Sequence, residues 1–240
     1  MVDKYNKIDS GRRCLWSAIL FGIVMLLSFS TSTFAQSRAL EPVSIQLRWS
    51  HQFQFAGYYA AREKGFYAEE GLDVSLRDFN PEEGRVAPVL AGKAQYGVGD
   101  PGLLKLRAEG TPVVVLAQIF QHSPAVLLTR RDSGILDPYS LKGKKIMMVP
   151  DSLGDASLQT MFMATLGSLD SLTFVPHSYD PLELQDTRVD AVAGYLSNEP
   201  FMLKQREVPI NIIDPRSYGI DFYGDNLFTT EMEVRNNPER

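Results

Sequence analysis

The chain has 240 residues, with 29 acidic and 24 basic side chains and a formal net charge of −5. This mildly acidic balance argues against nucleic acid or an anionic lipid surface as a partner. The single cysteine is Cys14, so the sequence beyond it can form no disulfide, thiolate metal site or thiol nucleophile.

Residues 1–35 are typical of a secretory signal peptide. A basic start is followed by an apolar run over 15–28, and Thr33 and Ala35 occupy the two positions that a signal peptidase reads. The basic residues are Lys4, Lys7, Arg12 and Arg13. The apolar run is shorter than the ~20 residues that a membrane span needs, and an uncleaved anchor is the alternative. We expect an exported, periplasmic protein.

Strand and helix signals alternate through the first half of the remaining chain. Period-two or continuous apolar patterns predict strands, and helix-period patterns closed by glycine or opened by proline predict helices. The strands are 43–49, 72–76, 96–99 and 113–120, and the helices are 55–67, 85–90 and 101–108.

The same alternation restarts after a split near 129–138. Strands are predicted at 144–149, 172–175, 189–193 and 210–213, with helices at 156–166, 181–185 and 200–206. Alternating strands and helices indicate a mostly parallel, doubly wound sheet in each half. We therefore predict two α/β lobes, with 36–128 and 214–240 in lobe 1 and 129–213 in lobe 2. Residues 237–239 resemble a helix start, so we expect C-terminal helices to be missing.

Several motifs carry a family resemblance. They are LRWSHQFQFAGYYAA at 47–61, EKGFY at 63–67, GLDV at 71–74, LAGKAQYGV at 90–98, LKGKKI at 141–146 and NEP at 198–200. The chain resembles the family that unites bacterial formylaminopyrimidine and sulfonate solute-binding proteins with the fungal thiamine-pyrimidine synthase. This resemblance implies a type II periplasmic binding protein fold, in which two α/β lobes joined by a hinge hold a ligand between them.

The family that the chain resembles also includes one enzyme, the thiamine-pyrimidine synthase, whose active-site residues can be compared with this sequence. The position of its lysine falls on Gly99 and that of its histidine on Leu103, and its cysteine-rich stretch has no counterpart. Without the lysine no Schiff base can form, and without soft ligands no iron site of that kind exists. We predict no catalytic residue, no cofactor and no metal, and hence a binding protein and not an enzyme.

Candidate ligand-binding residues follow the predicted strands of lobe 1. They are Trp49, His51, Gln52, Gln54, Tyr58 and Asp100. Trp49 ends a strand and could stack on a flat heteroaromatic ring, or else pack in the core. The loop side chains after it offer uncharged donors and acceptors, or lie in solvent. Tyr58 faces the cleft or the core, and Asp100 accepts from an exocyclic amine or caps a helix.

Lobe 2 supplies the opposing candidates, which are Ser152, Tyr195, Asn198 and Glu199. Ser152 lies near a predicted helix start, where it either caps the helix or contacts the ligand. The resemblance implies that the turn at 194–199 faces the cleft, with helix capping as the alternative for Glu199. A hinge is predicted at Tyr223, Gly224 and Asp225, where a surface turn is the alternative.

These residues predict a protein that closes two lobes on a small aromatic nitrogen heterocycle of the thiamine-precursor pyrimidine class. The partner would be an ABC permease. Alternatively, the chain is the sensing domain of a membrane sensor, because the variant at 51–55 is similar to members fused to histidine kinases or diguanylate cyclases. Sulfonates are the second ligand class, disfavoured because no arginine or lysine is expected close to the cleft motifs.

Overall fold

The computed structural model describes residues 39–148 and 156–240, so the predicted signal peptide and Ser152 lie outside the described residues. A first sheet has the strand order β2-β1-β3-β10-β4. Strands β1, β2 and β3 are mutually parallel neighbours, and β10 runs antiparallel to β3 and β4. The strands are β1 (Glu41–Gln46), β2 (Leu72–Arg77), β3 (Tyr96–Gly99), β4 (Val113–Phe120) and β10 (Gly224–Thr230).

A second sheet has the order β7-β6-β8-β5-β9. Strand β6 is parallel to β7 and β8, whereas β5 is antiparallel to β8 and β9. The strands are β5 (Ala125–Arg130), β6 (Lys145–Met148), β7 (Thr173–Pro176), β8 (Ala191–Tyr195) and β9 (Ile210–Ile213). The two sheets confirm the α/β fold with two lobes. Each sheet is mixed because the strand that follows a crossing between the sheets, β10 in the first and β5 in the second, runs antiparallel to its neighbours.

Helices connect the strands and cover the sheets. They are α1 (Ala56–Glu63), α2 (Phe66–Glu69), α3 (Ala87–Leu90), α4 (Leu103–Ala108), α5 (Ala156–Leu166), α6 (Glu199–Gln205) and α7 (Glu231–Asn236). The single helix predicted over 55–67 is divided into a 3₁₀ turn at Phe53–Phe55, α1 and α2. Gly65 separates α1 from α2 in a left-handed conformation (φ 80°), which glycine adopts without steric penalty.

Core clusters lie on both faces of each sheet, although most residues of β4 are exposed. In the second lobe one core cluster includes Phe162 and Ile146, and another includes Met147 and Val192. In the first lobe the clusters are centred on Phe55 and Phe228. Neighbouring residues of β6 therefore enter different cores, as expected of a strand covered on both sides.

The chain changes sheets at two places. It leaves the first sheet after Phe120 and enters the second at Ala125, then returns between Ile213 and Gly224. The predicted border between residues 128 and 129 falls inside β5, so the crossing occurs several residues earlier. The segment 129–138, where the split was predicted, includes the 3₁₀ turn Arg131–Ser133 and reaches the 3₁₀ turn Pro138–Leu141, both in the second lobe. Within the described ranges no helix is long and apolar enough to cross a membrane.

Candidate ligand-binding site

A cavity of about 540 Å³, part of it open to solvent, lies between the two sheets. Many of its wall residues lie at or just after the carboxyl ends of strands in both lobes, where open α/β sheets bind ligands. From lobe 1 it is lined by Arg48, Trp49, Gln52, Gln54 and Arg85, and from lobe 2 by Ala125, Met148, Leu158, His177, Ala193, Gly194, Tyr195 and Glu199. The volume suits a small organic molecule.

Arg48 is the centre of a buried ion-pair network beside this cavity. Its guanidinium lies 2.9 Å from the Asp100 carboxylate and 3.1 Å from the Asp225 carboxylate. All three side chains are at least nine-tenths buried. Burying these charges is tolerated because they are paired and hydrogen-bonded to one another.

Two neutral side chains complete the network. Gln54 donates to Asp225 at 3.0 Å, and the Tyr195 hydroxyl donates to Asp225 at 3.2 Å while accepting from Arg48. Burial raises the pKa of the Asp225 carboxyl, and the three donors, led by Arg48, oppose that rise. Tyr195 comes from the second sheet and Arg48 from the first, so the network joins the two lobes.

Arg85 is a second cation at the cavity. Its guanidinium lies 3.6 Å from Asp100 and stands over the Trp49 and Phe79 rings, at 5.9 Å and 5.8 Å from their centroids. The expectation that no arginine lies near the cleft was wrong, because both Arg48 and Arg85 line the cavity. The sequence analysis treated Arg48 as one residue of the alternating strand 43–49. It treated Arg85 as the start of a short helix, far in sequence from the motifs expected to form the cleft.

Trp49 belongs to an aromatic cluster that crosses between the lobes. Its ring stacks on Phe79 at 5.9 Å, meets the His177 ring edge-on at 5.4 Å and lies 5.1 Å from the Tyr179 ring. Trp49 is half-buried and lines the cavity, so its two predicted environments, a ligand wall and a packed cluster, coexist. The sequence analysis missed Phe79, His177 and Tyr179, although two of them flank a turn after a strand.

The other lobe 1 candidates separate into cavity, surface and core. Gln52 and Gln54 line the cavity and are hydrogen-bonded to each other. His51 is exposed and is hydrogen-bonded to the Tyr59 hydroxyl, away from the cavity lining. Tyr58 lies in the first-lobe core, where burial raises the pKa of its hydroxyl well above the usual range. The core alternative therefore describes Tyr58, because α1 turns that face toward the sheet.

Asp100 faces the ion-pair network and a second cavity of about 1620 Å³, and it does not line the first one. Its carboxylate also accepts from the Gly102 backbone at 2.8 Å, in the turn before α4, whose N-cap residue is Gly102 and not Asp100. Asp100 is therefore paired with Arg48, and its predicted contact with an exocyclic amine of the ligand stays a prediction.

Glu199 and Asn198 organise the turn after β8. The buried Glu199 carboxylate accepts from the Tyr195 backbone at 2.6 Å and from the Asn198 side chain at 2.9 Å. A Cβ atom at Gly194 would lie 2.9 Å from this carboxylate, so only glycine allows the close approach. Glu199 and Tyr195 line the cavity, whereas Asn198 does not.

The predicted hinge residues have different surroundings. Tyr223 is exposed, and Gly224 begins β10 with its Cα facing Pro124 of the other crossing. The two crossings are hydrogen-bonded, with the Ser123 backbone donating to Phe222 at 2.6 Å. Asp225 is not a flexible turn residue, because it is buried within the ion-pair network despite a left-handed φ of 38°. Within 39–148 and 156–240, no three His, Cys, Asp or Glu residues are grouped to hold a metal ion.

A family model described as NMT1/THI5 like matches residues 52–240. This chain belongs to the NMT1/THI5-like family. Among curated relatives it is 26% identical to the formylaminopyrimidine-binding protein of Halalkalibacterium halodurans over 227 residues, which are 92% of this chain and 68% of the relative. It is 23% identical to the riboflavin-binding protein RibY of Chloroflexus aurantiacus, covering 83% of this chain and 58% of the relative.

Among solved structures, this chain is similar in fold to the putative periplasmic sulfonate-binding protein SsuA of Methylobacillus flagellatus. The TM-score is 0.59 at 18% identity, over 84% of this chain and 65% of that one. The chain therefore spans about three fifths to two thirds of the length of these proteins. At this identity the structural likeness shows the type II periplasmic binding fold and not the ligand.

Proposed function

We propose that this chain is the ligand-binding part of an extracytoplasmic solute-binding protein for an ABC permease. Its two lobes close on a small, flat, uncharged nitrogen heterocycle of the thiamine-precursor pyrimidine class. The observation that carries the proposal is the cavity itself, which both lobes line and which combines an aromatic wall with uncharged hydrogen-bonding groups. Coupling to a fused sensor instead of a permease stays a prediction.

The side chains of the cavity suit a flat polar ring. Trp49 offers a broad apolar surface, and the Gln52 amide offers both a donor and an acceptor. Aliphatic and small residues such as Met148 and Ala193 complete the lining without adding charge. The charged lining residues Arg48, Arg85 and Glu199 are bonded to other groups of the protein, so the aromatic surface and the uncharged amides would orient a heterocycle by its edge. The formylaminopyrimidine-binding relative supports the same ligand class.

The charges around the cavity favour an uncharged ligand over a sulfonate. Arg48 is already bonded to two carboxylates, and Arg85 lies within ion-pair distance of Asp100. A sulfonate would have to compete with these internal carboxylates for the guanidinium groups. Sulfonates therefore remain the second ligand class even though arginine is present.

The region that corresponds to the synthase lysine supports a binding role. Gly99 is the last residue of β3, and a Cβ atom there would lie 2.7 Å from Leu103 Cδ1. A longer side chain would have to displace that buried leucine, so the backbone is packed for glycine. We propose that the chain binds its ligand without transforming it.

Titration of the purified protein tests this proposal. In a Trp16→Phe chain, Trp49 is the single tryptophan, and its fluorescence can be followed while formylaminopyrimidine, hydroxymethylpyrimidine, riboflavin and taurine are added separately. Calorimetry provides a second readout that does not depend on Trp49. We expect saturable binding of a pyrimidine and none of taurine. Taurine binding alone would replace the pyrimidine class by sulfonates, and binding of none would refute the ligand proposal.

A matched pair of glutamine variants locates the site. Gln52→Ala removes a cavity amide and should weaken pyrimidine binding by roughly three- to tenfold, the effect of one lost hydrogen bond. Gln205→Ala changes an exposed residue at the end of α6 and should leave the dissociation constant unchanged. Equal affinities of both variants for the pyrimidine would show that Gln52 does not contact the ligand.

A further inference from the structure

The turn after β7 holds a non-glycine residue in a strained conformation. The backbone of Tyr179 has a φ of 68°, in the left-handed region that residues other than glycine rarely adopt. Such residues persist only where the surrounding contacts hold them, and they concentrate at ligand clamps and switches. The contacts of Tyr179 therefore indicate what the strained turn accomplishes.

His177 holds the turn from within. Its Nδ1 atom accepts from the Tyr179 backbone N–H at 2.9 Å, and its Nε2 atom is 3.3 Å from the Ala193 carbonyl oxygen. A neutral imidazole with its proton on Nε2 satisfies both contacts, since Nδ1 must be free to accept. His177 is buried and lines the cavity, so the ring is fixed between β8 and the turn.

The Tyr179 ring reaches the other lobe. It lies 5.1 Å from the Trp49 ring and 6.1 Å from the Phe79 ring, both of which follow strands of the first sheet. Ring pairs at these separations are attractive beyond the area they bury. Because Tyr179 follows a strand of the second sheet, opening the lobes would separate these rings.

We propose that Tyr179 is a latch that holds the two lobes closed over the ligand, and that His177 is the positioning residue that aims it. This inference rests on the proposed function, because it assigns the control of ligand release to residues that line or adjoin the same cavity. A latch that forms after the ligand has entered acts mainly on the dissociation rate.

The geometry also makes the latch sensitive to acid. Burial is the largest effect on the His177 imidazole and lowers its pKa below the ordinary 6.5. The charged groups that face it are Glu199 of α6 and Glu183, which favour protonation, and Arg85, which opposes it. Protonation occupies Nδ1 and removes the acceptor for the Tyr179 N–H. The latch is therefore complete above about pH 6.5 and weakens as the pH falls through the lowered pKa.

The first test removes the ring without straining the turn. Tyr179→Gly suits the left-handed conformation, so the fold should be retained, and Tyr179→Phe keeps the ring. In the Trp16→Phe chain, Tyr179→Gly should raise the dissociation rate of formylaminopyrimidine about tenfold and change the association rate little. It should also raise acrylamide quenching of Trp49. Tyr179→Phe and the exposed control Tyr139→Ala should match the parent chain.

The second test separates position from titration. Asparagine at 177 can accept from the N–H two residues later, as in an Asx turn, but it does not titrate. His177→Asn removes a ring that lines the cavity, so its dissociation rate at pH 5 is compared with its own rate at pH 8 and not with the parent rate. The acceleration that the parent shows between pH 8 and pH 5 should be lost in this variant. An acceleration equal to the parent's would refute the role of His177.

The latch and the ligand proposal can fail separately. Parent-like quenching and dissociation in folded Tyr179→Gly would overturn the latch whichever pyrimidine binds. If the parent chain binds none of the four ligands, the proposed function fails, and the quenching comparison then decides the latch by itself.

Discussion

Arg48 shows how one residue can decide the electrostatics of a site. It follows β1 and pairs with a carboxylate after β3 and another at the start of β10. In this buried setting each carboxylate depends on the cation, because losing one partner leaves an uncompensated charge away from water. Arg48 therefore stabilises the meeting point of three strands as well as one wall of the cavity.

Arg48→Met should lower the free energy of unfolding by about 3–5 kcal/mol at pH 8, as expected when a buried ion pair loses one partner. Burial raises the pKa of the Asp225 carboxyl and Arg48 opposes that rise, so without the cation the pKa of Asp225 rises further in the folded state, which then binds more protons than the unfolded chain. Stability of the variant should consequently recover as the pH falls toward 5. Urea unfolding at both pH values measures this.

The control for that experiment is Arg131→Met, because Arg131 is exposed in a 3₁₀ turn of the second lobe. It should stay within about 0.5 kcal/mol of the parent chain. A similarly small change for Arg48→Met would show that the network contributes little to folding.

At the scale of elements, the two crossings are packed as a pair. Residues 121–124 and 214–223 run between the sheets, and the Ser123–Phe222 backbone hydrogen bond joins them. The crossings leave no space for a side chain at Gly224, since a Cβ atom there would lie 2.8 Å from Pro124 Cδ and 3.2 Å from Ser123 Cα. Because a backbone atom cannot give way as a flexible side chain can, the glycine is required by packing.

Gly224→Ala should therefore destabilise the protein by about 1–3 kcal/mol through overpacking. Gly57→Ala is its matched control, because nothing lies within 4 Å of the added Cβ and alanine favours the α1 helix. That variant should be neutral or more stable by up to about 1 kcal/mol. Thermal unfolding measures both changes, and equal melting temperatures would contradict tight packing of the crossings.

For the whole molecule, polar and aromatic contacts join the two lobes at two separate points. The Tyr195 hydroxyl connects the second lobe to Arg48 and Asp225, and the Trp49 cluster connects it to the first lobe at another point. A ligand shifts such an equilibrium only by its preference for the closed state, so weaker lobe contacts reduce the apparent affinity.

Tyr195→Phe should accordingly raise the dissociation constant of the proposed pyrimidine ligand about fivefold, equivalent to one hydrogen bond of about 1 kcal/mol. The ring is retained, so the cavity keeps its shape. Calorimetry gives the affinity, and Tyr139→Phe on the exposed surface is the control. An unchanged affinity would mean that the hydroxyl does not contribute to closure.

The sequence by itself determined the α/β class, the two lobes and most strand positions. Period-two and continuous apolar patterns are local properties, and β4 runs over the predicted residues. Five of the predicted site residues line the cavity: Trp49, Gln52, Gln54, Tyr195 and Glu199. The first three follow a strand of the first sheet, at the edge where ligands bind, and the family resemblance implied that the turn at 194–199 of the second sheet faces the cleft.

Only the tertiary structure decided which charges meet and which rings cross between lobes. Arg48 and Asp225 are separated by 177 positions, and Tyr195 reaches them from the other sheet. The directions of β5 and β10 and the division at Gly65 likewise depend on how the chain crosses and turns. Such pairings follow from distance in space, which a one-dimensional pattern of residue types does not contain.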